Sequence, residues 1–185
     1  KLSHMLAMVI AGISVFIVLI KSEPYRINRL LVFLDPSHDQ QGIGYQINQA
    51  LLAIGSGGIF GLGLGHSLQK FNYLPEPVGD SIFAIIGEEL GLVGTISLVF
   101  LFLILAIRGL RIAKNAPDQF ASLIAIGIVS WITLQAFVNI AAITGLIPLT
   151  GIPLPFISYG GTSIIFLLMG AGILINISKQ VKIIK

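Results

Sequence analysis

Eight residues of this sequence are Asp or Glu. Two of them, Glu88 and Glu89, stand inside a long apolar run, and a third, Asp80, stands directly before it. A carboxylate held in such a place can take a proton from a hydroxyl as a general base, and acids that deep in an apolar segment are functional candidates by default. Asp80 reads as a helix N-cap ahead of Ser81-Ile82-Phe83, where orphan N–H groups and the helix dipole both favour a short acid. At ~100° per residue, Ala84, Gly87, Gly91, Gly94 and Thr95 fall within roughly 60° of the direction of Asp80. The acid therefore heads a stripe of small residues, suited to close helix packing or to a groove for a lipid tail. Glu88 and Glu89 lie about 12–13 Å further along a helix that rises ~1.5 Å per residue.

Other chemistries are excluded by residue type. There is no cysteine, hence no disulfide framework or thiolate metal site, and the three histidines, His4, His38 and His66, lie far apart without ligand spacing. The net charge of +3 and pI near 9.3 do not indicate nucleic acid, because the basic residues flank apolar spans and form no stripe on a soluble face.

The elements that position these residues are membrane helices. The chain is 55% hydrophobic and 10% charged, with a mean hydropathy of +0.96, outside the range of soluble domains. The pattern predicts an all-α membrane protein, a polytopic helical bundle in one membrane domain (1–185), with four spans at about 4–20, 82–107, 119–145 and 157–177. A long loop, 21–80, separates the first two. In it, Phe33-Leu-Asp-Pro36 reads as a turn. Ile43, Ile47, Ala50, Leu51 and Ile54 keep helical spacing with Gln46 and Gln49 off that face, which predicts an amphipathic or re-entrant helix at the interface. Gly61-x-Gly-x-Gly65 lacks the dinucleotide spacing; it reads as a close-packed loop at the membrane surface or as a phosphate-cradling nest. Arg108, Arg111 and Lys114 form a short basic loop ending in Pro117-Asp118, and 145–155, with three prolines and two glycines, is an irregular connection.

Basic-residue asymmetry sets the orientation. Lys1, the 108–118 loop and the tail hold seven basic residues against one acid; the 21–80 loop and the Glu88/Glu89 segment hold four against seven. The first side is expected to be cytoplasmic, with both termini of this chain on it. Gln135 and Asn139, one turn apart, then share the outer depth with Asp80 and with Ser158, Thr162 and Ser163. Each amide could serve only an interhelical hydrogen bond; their joint placement favours a site facing the outer leaflet. Arg26, Arg29 and Lys70 in the loop could hold phosphates, snorkel, or pair with loop acids.

Several stretches resemble a known family: Pro24-Tyr-Arg-Ile-Asn-Arg29, Gly44-Tyr-Gln46, Gly61-Leu-Gly-Leu-Gly65, Tyr73-Leu-Pro-Glu76, Asp80 with Ile82-Phe-Ala-Ile-Ile-Gly-Glu-Glu-Leu-Gly91, and Pro153-Leu-Pro-Phe-Ile-Ser-Tyr-Gly-Gly-Thr-Ser163. In this order they are similar to the SEDS proteins (shape, elongation, division and sporulation), most of all to the division branch. Family members have about ten membrane helices, so the chain is expected to correspond to the C-terminal half and to be inactive alone. The resemblance implies a glycosyltransferase that polymerises lipid II, the undecaprenyl-pyrophosphate-linked disaccharide peptide, into peptidoglycan strands at the outer face of the bacterial cytoplasmic membrane. It implies a class B penicillin-binding protein, other division proteins and membrane lipid as partners, and no nucleic acid. It makes Asp80 the catalytic carboxylate. Arg26, Arg29, Lys70, Glu76, Gln46, Ser158, Gly160 and Thr162 become substrate-binding candidates, and Glu88, Gln135 and Asn139 supporting ones. The leaving diphosphate needs positive charge from the basic residues or from a divalent cation, Mg or Mn. One departure is Val78-Gly79, where the family commonly has His-Thr. A lipid-linked precursor flippase and a non-catalytic divisome scaffold are the competing functions; a transporter should carry charges along a midplane route, and the inner helix halves lack them.

Overall fold

A computed structural model describes residues 2–21, 24–35, 39, 41–72, 74–75 and 77–180. All regular structure among the described residues is helical, in seven elements, and the chain divides into two compact units, Lys1–Tyr45 and Gln46–Lys185. The first unit holds α1 (Leu2–Lys21), α2 (Pro24–Leu34) and the opening of α3 (Ile43–Ser56). α1 occupies the place of the first expected span and is 20 residues long. α2 is an element the sequence pattern left unread. Its first residue is proline, whose fixed φ suits a first helical position, and its last turn closes with Asp35 N–H donating to Leu31 O at 2.8 Å. The stretch expected to turn at Phe33-Leu-Asp-Pro36 is therefore helical through Leu34, with Pro36 outside the described residues. Asp39 accepts the N–H groups of Gly42 (2.9 Å) and Ile43 (3.1 Å), which ties down the start of α3.

The second unit contains the rest of α3, the single turn α4 (Gln69–Asn72), α5 (Ile82–Lys114), α6 (Gln119–Ile143) and α7 (Gly161–Gln180). The last three are long and apolar enough to cross a membrane, and α6 packs against both α5 and α7. Contact is close because small residues admit it: a Cβ on Gly109 would lie 2.2 Å from Val129 Cγ2. Ala113, Ala125 and Ile177 close one end of the bundle. Arg108, Arg111 and Lys114 do not form a loop as expected. They ride on the last turns of α5, where the negative end of the helix dipole favours cations. The turn that follows ends at Asp118, whose carboxylate caps α6 by accepting Ala121 N–H at 2.7 Å. α7 begins at Gly161, with 156–160 remaining non-helical.

The largest departure from expectation is a break inside the second span. Gly91 has φ 66° and ψ −162°, so α5 is two helices joined at that residue. A break in an apolar helix frees backbone groups that lipid cannot satisfy. Here the glycine-rich segment 57–63 supplies the partners. Leu62 N–H donates to Glu88 O (2.9 Å) and Gly63 N–H to Glu89 O (3.0 Å), while Leu92 N–H donates to Gly58 O (2.9 Å) and Val93 N–H to Ile59 O (3.2 Å). The approach leaves no room for side chains: a Cβ on Gly57 would sit 1.9 Å from Gly87 O, and one on Gly61 2.2 Å from Glu89 O. Within the stripe of small residues, Gly87 and Gly91 thus serve close packing against α3 and its glycine loop.

Gly91→Ala should destabilise the protein strongly. Its Cβ would meet Gly61 N at 2.4 Å and Ile59 O at 2.6 Å, on top of about 1–2 kcal/mol for a left-handed residue. Gly58→Ala, at φ 54° with open space around it, should cost only about 1 kcal/mol. Thermal denaturation in detergent compares the two.

Candidate active site

Asp80 ends the turn 77–80 that leads into α5. It is not the N-cap the sequence suggested. Ser81 takes that position, with φ −88° and ψ 3°, and makes no side-chain cap bond. The helix starts one residue later than expected, and the Asp80 carboxylate is held by side chains instead of capping it. Gln46 of α3 donates its Nε2 to Asp80 Oδ1 (3.2 Å) and to Ser81 Oγ (3.0 Å). The Ser81 hydroxyl, fully buried, lies 3.3 Å from Asp80 Oδ1 and 3.3 Å from Pro75 O. Asp80 itself is half-buried. Gln46 reaches it because α3 buries Ile47, Ala50 and Ala53, which leaves position 46 on the flank facing the start of α5.

The two amides of α6 hold the backbone around the acid. Asn139, 1% exposed, donates Nδ2 to Asp80 O (2.8 Å) and to Ile152 O (2.7 Å). One turn earlier, Gln135 donates to Pro153 O at 2.9 Å. These are loop-to-helix bonds, and they join the turn of Asp80 and the 150–160 segment to one face of α6. That segment is closed on itself by Leu154 N–H donating to the buried Ser158 Oγ (2.7 Å). It is joined to the Asp80 turn by Tyr159 N–H donating to Val78 O (2.7 Å). Phe156 adopts φ 64° without being glycine, a strained conformation of the kind that collects at functional loops. Val78 and Ile82, which flank Asp80 in the chain, line one side of a cleft of about 310 Å³, with Ile157, Ser158, Tyr159, Gly160, Gly161 and Ile164 on the other; Asp80 itself is not in its wall.

The structure thus gathers Asp80, Gln46, Asn139, Ser158 and Gly160 in one region of the second unit, with Gln135 beneath them. Thr162 is exposed on the first turn of α7. Lys70 is half-buried on α4. Arg26 and Arg29 belong to the first unit, on α2; the Arg29 guanidinium lies 4.4 Å from the Tyr25 ring centroid and donates to the Tyr25 hydroxyl. Glu76 lies outside the described residues. Glu88 is 1% exposed and bonds to the 67–69 turn rather than to the Asp80 region. The glycine loop is not a phosphate nest, since the N–H groups of Leu62 and Gly63 are taken up by α5. Ser81 and Ser67 escaped sequence reasoning, and nothing in residue type marks a lone serine. Among the described residues no three His, Asp or Glu side chains gather into a metal-ligand set.

Asn139→Leu should cost about 1–3 kcal/mol, because it strips the partner from two loop carbonyls, and Gln135→Leu about 1 kcal/mol for its single bond. Melting temperatures in detergent should order the variants wild type, Gln135→Leu, Asn139→Leu.

The chain is similar to known proteins over nearly its whole length. The family model described as "Cell cycle protein", FtsW/RodA/SpoVE, matches residues 1–183. Stage V sporulation protein E of Bacillus subtilis (strain 168) is 50% identical over 179 residues, covering 97% of this chain and 49% of that protein. A probable peptidoglycan glycosyltransferase FtsW of Geobacter metallireducens is 45% identical, covering 97% of this chain and 48% of that one. A solved chain, described under "Structural coordination of polymerization and crosslinking by a peptidoglycan synthase complex", superposes with a TM-score of 0.73 at 26% identity, over 97% of this chain and 50% of its own. The chain spans about half the length of the curated relatives it matches. It is a multi-pass membrane protein and belongs to the FtsW/RodA/SpoVE family of cell cycle proteins.

Proposed function

We propose that the protein is a peptidoglycan glycosyltransferase that polymerises lipid II into glycan strands at the outer face of the cytoplasmic membrane during cell division. The observation that carries this reading is the collar around Asp80: a half-buried carboxylate bonded by Gln46 and Ser81 at the head of a membrane helix, with its chain neighbours Val78 and Ile82 lining a largely apolar cleft. Relatives bear the name peptidoglycan glycosyltransferase, and the similar solved chain comes from work on a peptidoglycan synthase complex. The basic-residue asymmetry supports a cytoplasmic placement of both ends of this chain.

Asp80 acts as the base. The acceptor sugar hydroxyl gives its proton to the carboxylate as its oxygen bonds to the donor anomeric carbon. The bond from that carbon to the lipid diphosphate breaks, and the diphosphate leaves with the electron pair. The hydrogen bonds from Gln46 and Ser81 hold one carboxylate oxygen and so aim the other lone pairs. Lys70 supplies charge for the diphosphate. Ser158, Gly160 and Thr162 line the approach of the substrate, and lipid tails lie along the apolar side of the cleft. No step is assigned to a divalent cation such as Mg or Mn. A class B penicillin-binding protein is the partner, which fits the similar solved chain, described under polymerization and crosslinking by a peptidoglycan synthase complex.

Asp80→Asn keeps the size of the side chain and removes its basicity. In the intact protein, lipid II polymerisation should fall by about 10²–10⁴-fold, with the melting temperature and binding of the penicillin-binding protein retained. Polymerisation at the wild-type rate would refute the role of Asp80. Lost membrane flipping of lipid II with intact polymerisation would favour the transporter reading.

A further inference from the structure

We propose that Glu88 is a positioning residue, which through Ser67 fixes the turn that presents Lys70 to the anionic, diphosphate end of the substrate. This rests on the reading of Lys70 given above. Glu88 is 1% exposed and sits inside an apolar helix, where an acid is costly unless fully hydrogen-bonded. All its described partners come from one short segment: the Ser67 hydroxyl donates to Oε2, and Leu68 N–H (3.0 Å) and Gln69 N–H (3.4 Å) donate to Oε1. Ser67, itself 1% exposed, then accepts Lys70 N–H at 3.0 Å. A buried acid therefore shapes the first turn of α4 from 21 residues away in sequence.

The segment is held at its far end as well. Leu74 N–H donates to Gln69 O at 3.0 Å, and Pro75 O lies 3.3 Å from the hydroxyl of Ser81, the neighbour of Asp80. Ser67, Leu68 and Gln69 are thus tied to Glu88, and Pro75 to the neighbour of the catalytic base. Lys70 is the one Lys or Arg between Arg29 and Arg108. A turn so firmly held, carrying the sole such cation of that stretch, has the character of a part that must stand at a set distance from Asp80.

The test uses the intact protein in liposomes with its penicillin-binding partner and lipid II as substrate. Glu88→Gln keeps the volume and one acceptor for the 68–69 amides but removes the anionic acceptor of Ser67; Ser67→Ala deletes only the hydroxyl. Each should lower the melting temperature somewhat yet still fold, and should raise KM for lipid II by about tenfold with kcat changed much less. In a Lys70→Ala background neither substitution should add a further effect, the non-additivity expected of groups acting through one side chain. Wild-type KM in both single variants, or effects that multiply with Lys70→Ala, would overturn the inference. Should Glu88→Gln fail to fold, Ser67→Ala alone decides, and its failure to fold too would assign the network to folding and overturn the proposal. Polymerisation unaffected by Asp80→Asn would instead sink the underlying reading, which keeps the two failures distinct.

Discussion

The structure depends on how backbone groups are paired inside an apolar helix. Lipid offers no hydrogen bonds, so a helix that opens must find partners within the protein. α5 opens at Gly91, and the loop of Gly57 to Gly63 closes the gap with four backbone bonds. Only glycine permits this, because the two backbones approach to distances a Cβ would occupy. The consequence reaches the site. The first half of α5 is a short, separately anchored helix with Asp80 just before one end and the break at the other, so the acid is placed by the loop and α3 as much as by the long helix that follows.

Around that short helix, polar side chains work mainly on backbone. Asn139 and Gln135 bond to carbonyls of two different loops, and Glu88 bonds to the amides of a third. Bonds of this kind fix the path of a chain that has no regular structure of its own. They also exempt the loops from needing a large apolar core, which a membrane bundle with lipid-facing outer surfaces does not provide. Gln46 and Ser81 differ in that they touch the Asp80 carboxylate itself.

The relation between fold and function follows from this placement. Membrane helices of this type host many activities, and the fold by itself does not choose among them. What narrows the choice is the meeting of a half-buried acid, an apolar cleft and a strained loop at one end of the bundle. A substrate with a long hydrocarbon tail and a polar head matches both parts of that surface.

Much was determined by the sequence alone. Composition settled the membrane class, and apolar runs located α5, α6 and α7, since hydrocarbon thickness sets a length that few other constraints mimic. The spacing of Gln135 and Asn139 placed them on one face, and both do bond to neighbouring loops. The glycine stripe was visible, yet its use was not: a pattern of small residues is the same whether a helix runs straight against another or breaks to admit a loop. The local pattern makes Asp80 a cap, but Ser81 takes that position and the Asp80 carboxylate bonds to Gln46 and Ser81, a contact that bridges α3 and α5. The pairing of Glu88 with Ser67 depended on contact between residues distant in sequence. Local periodicity carries no information about such contacts; only the folded chain decides them.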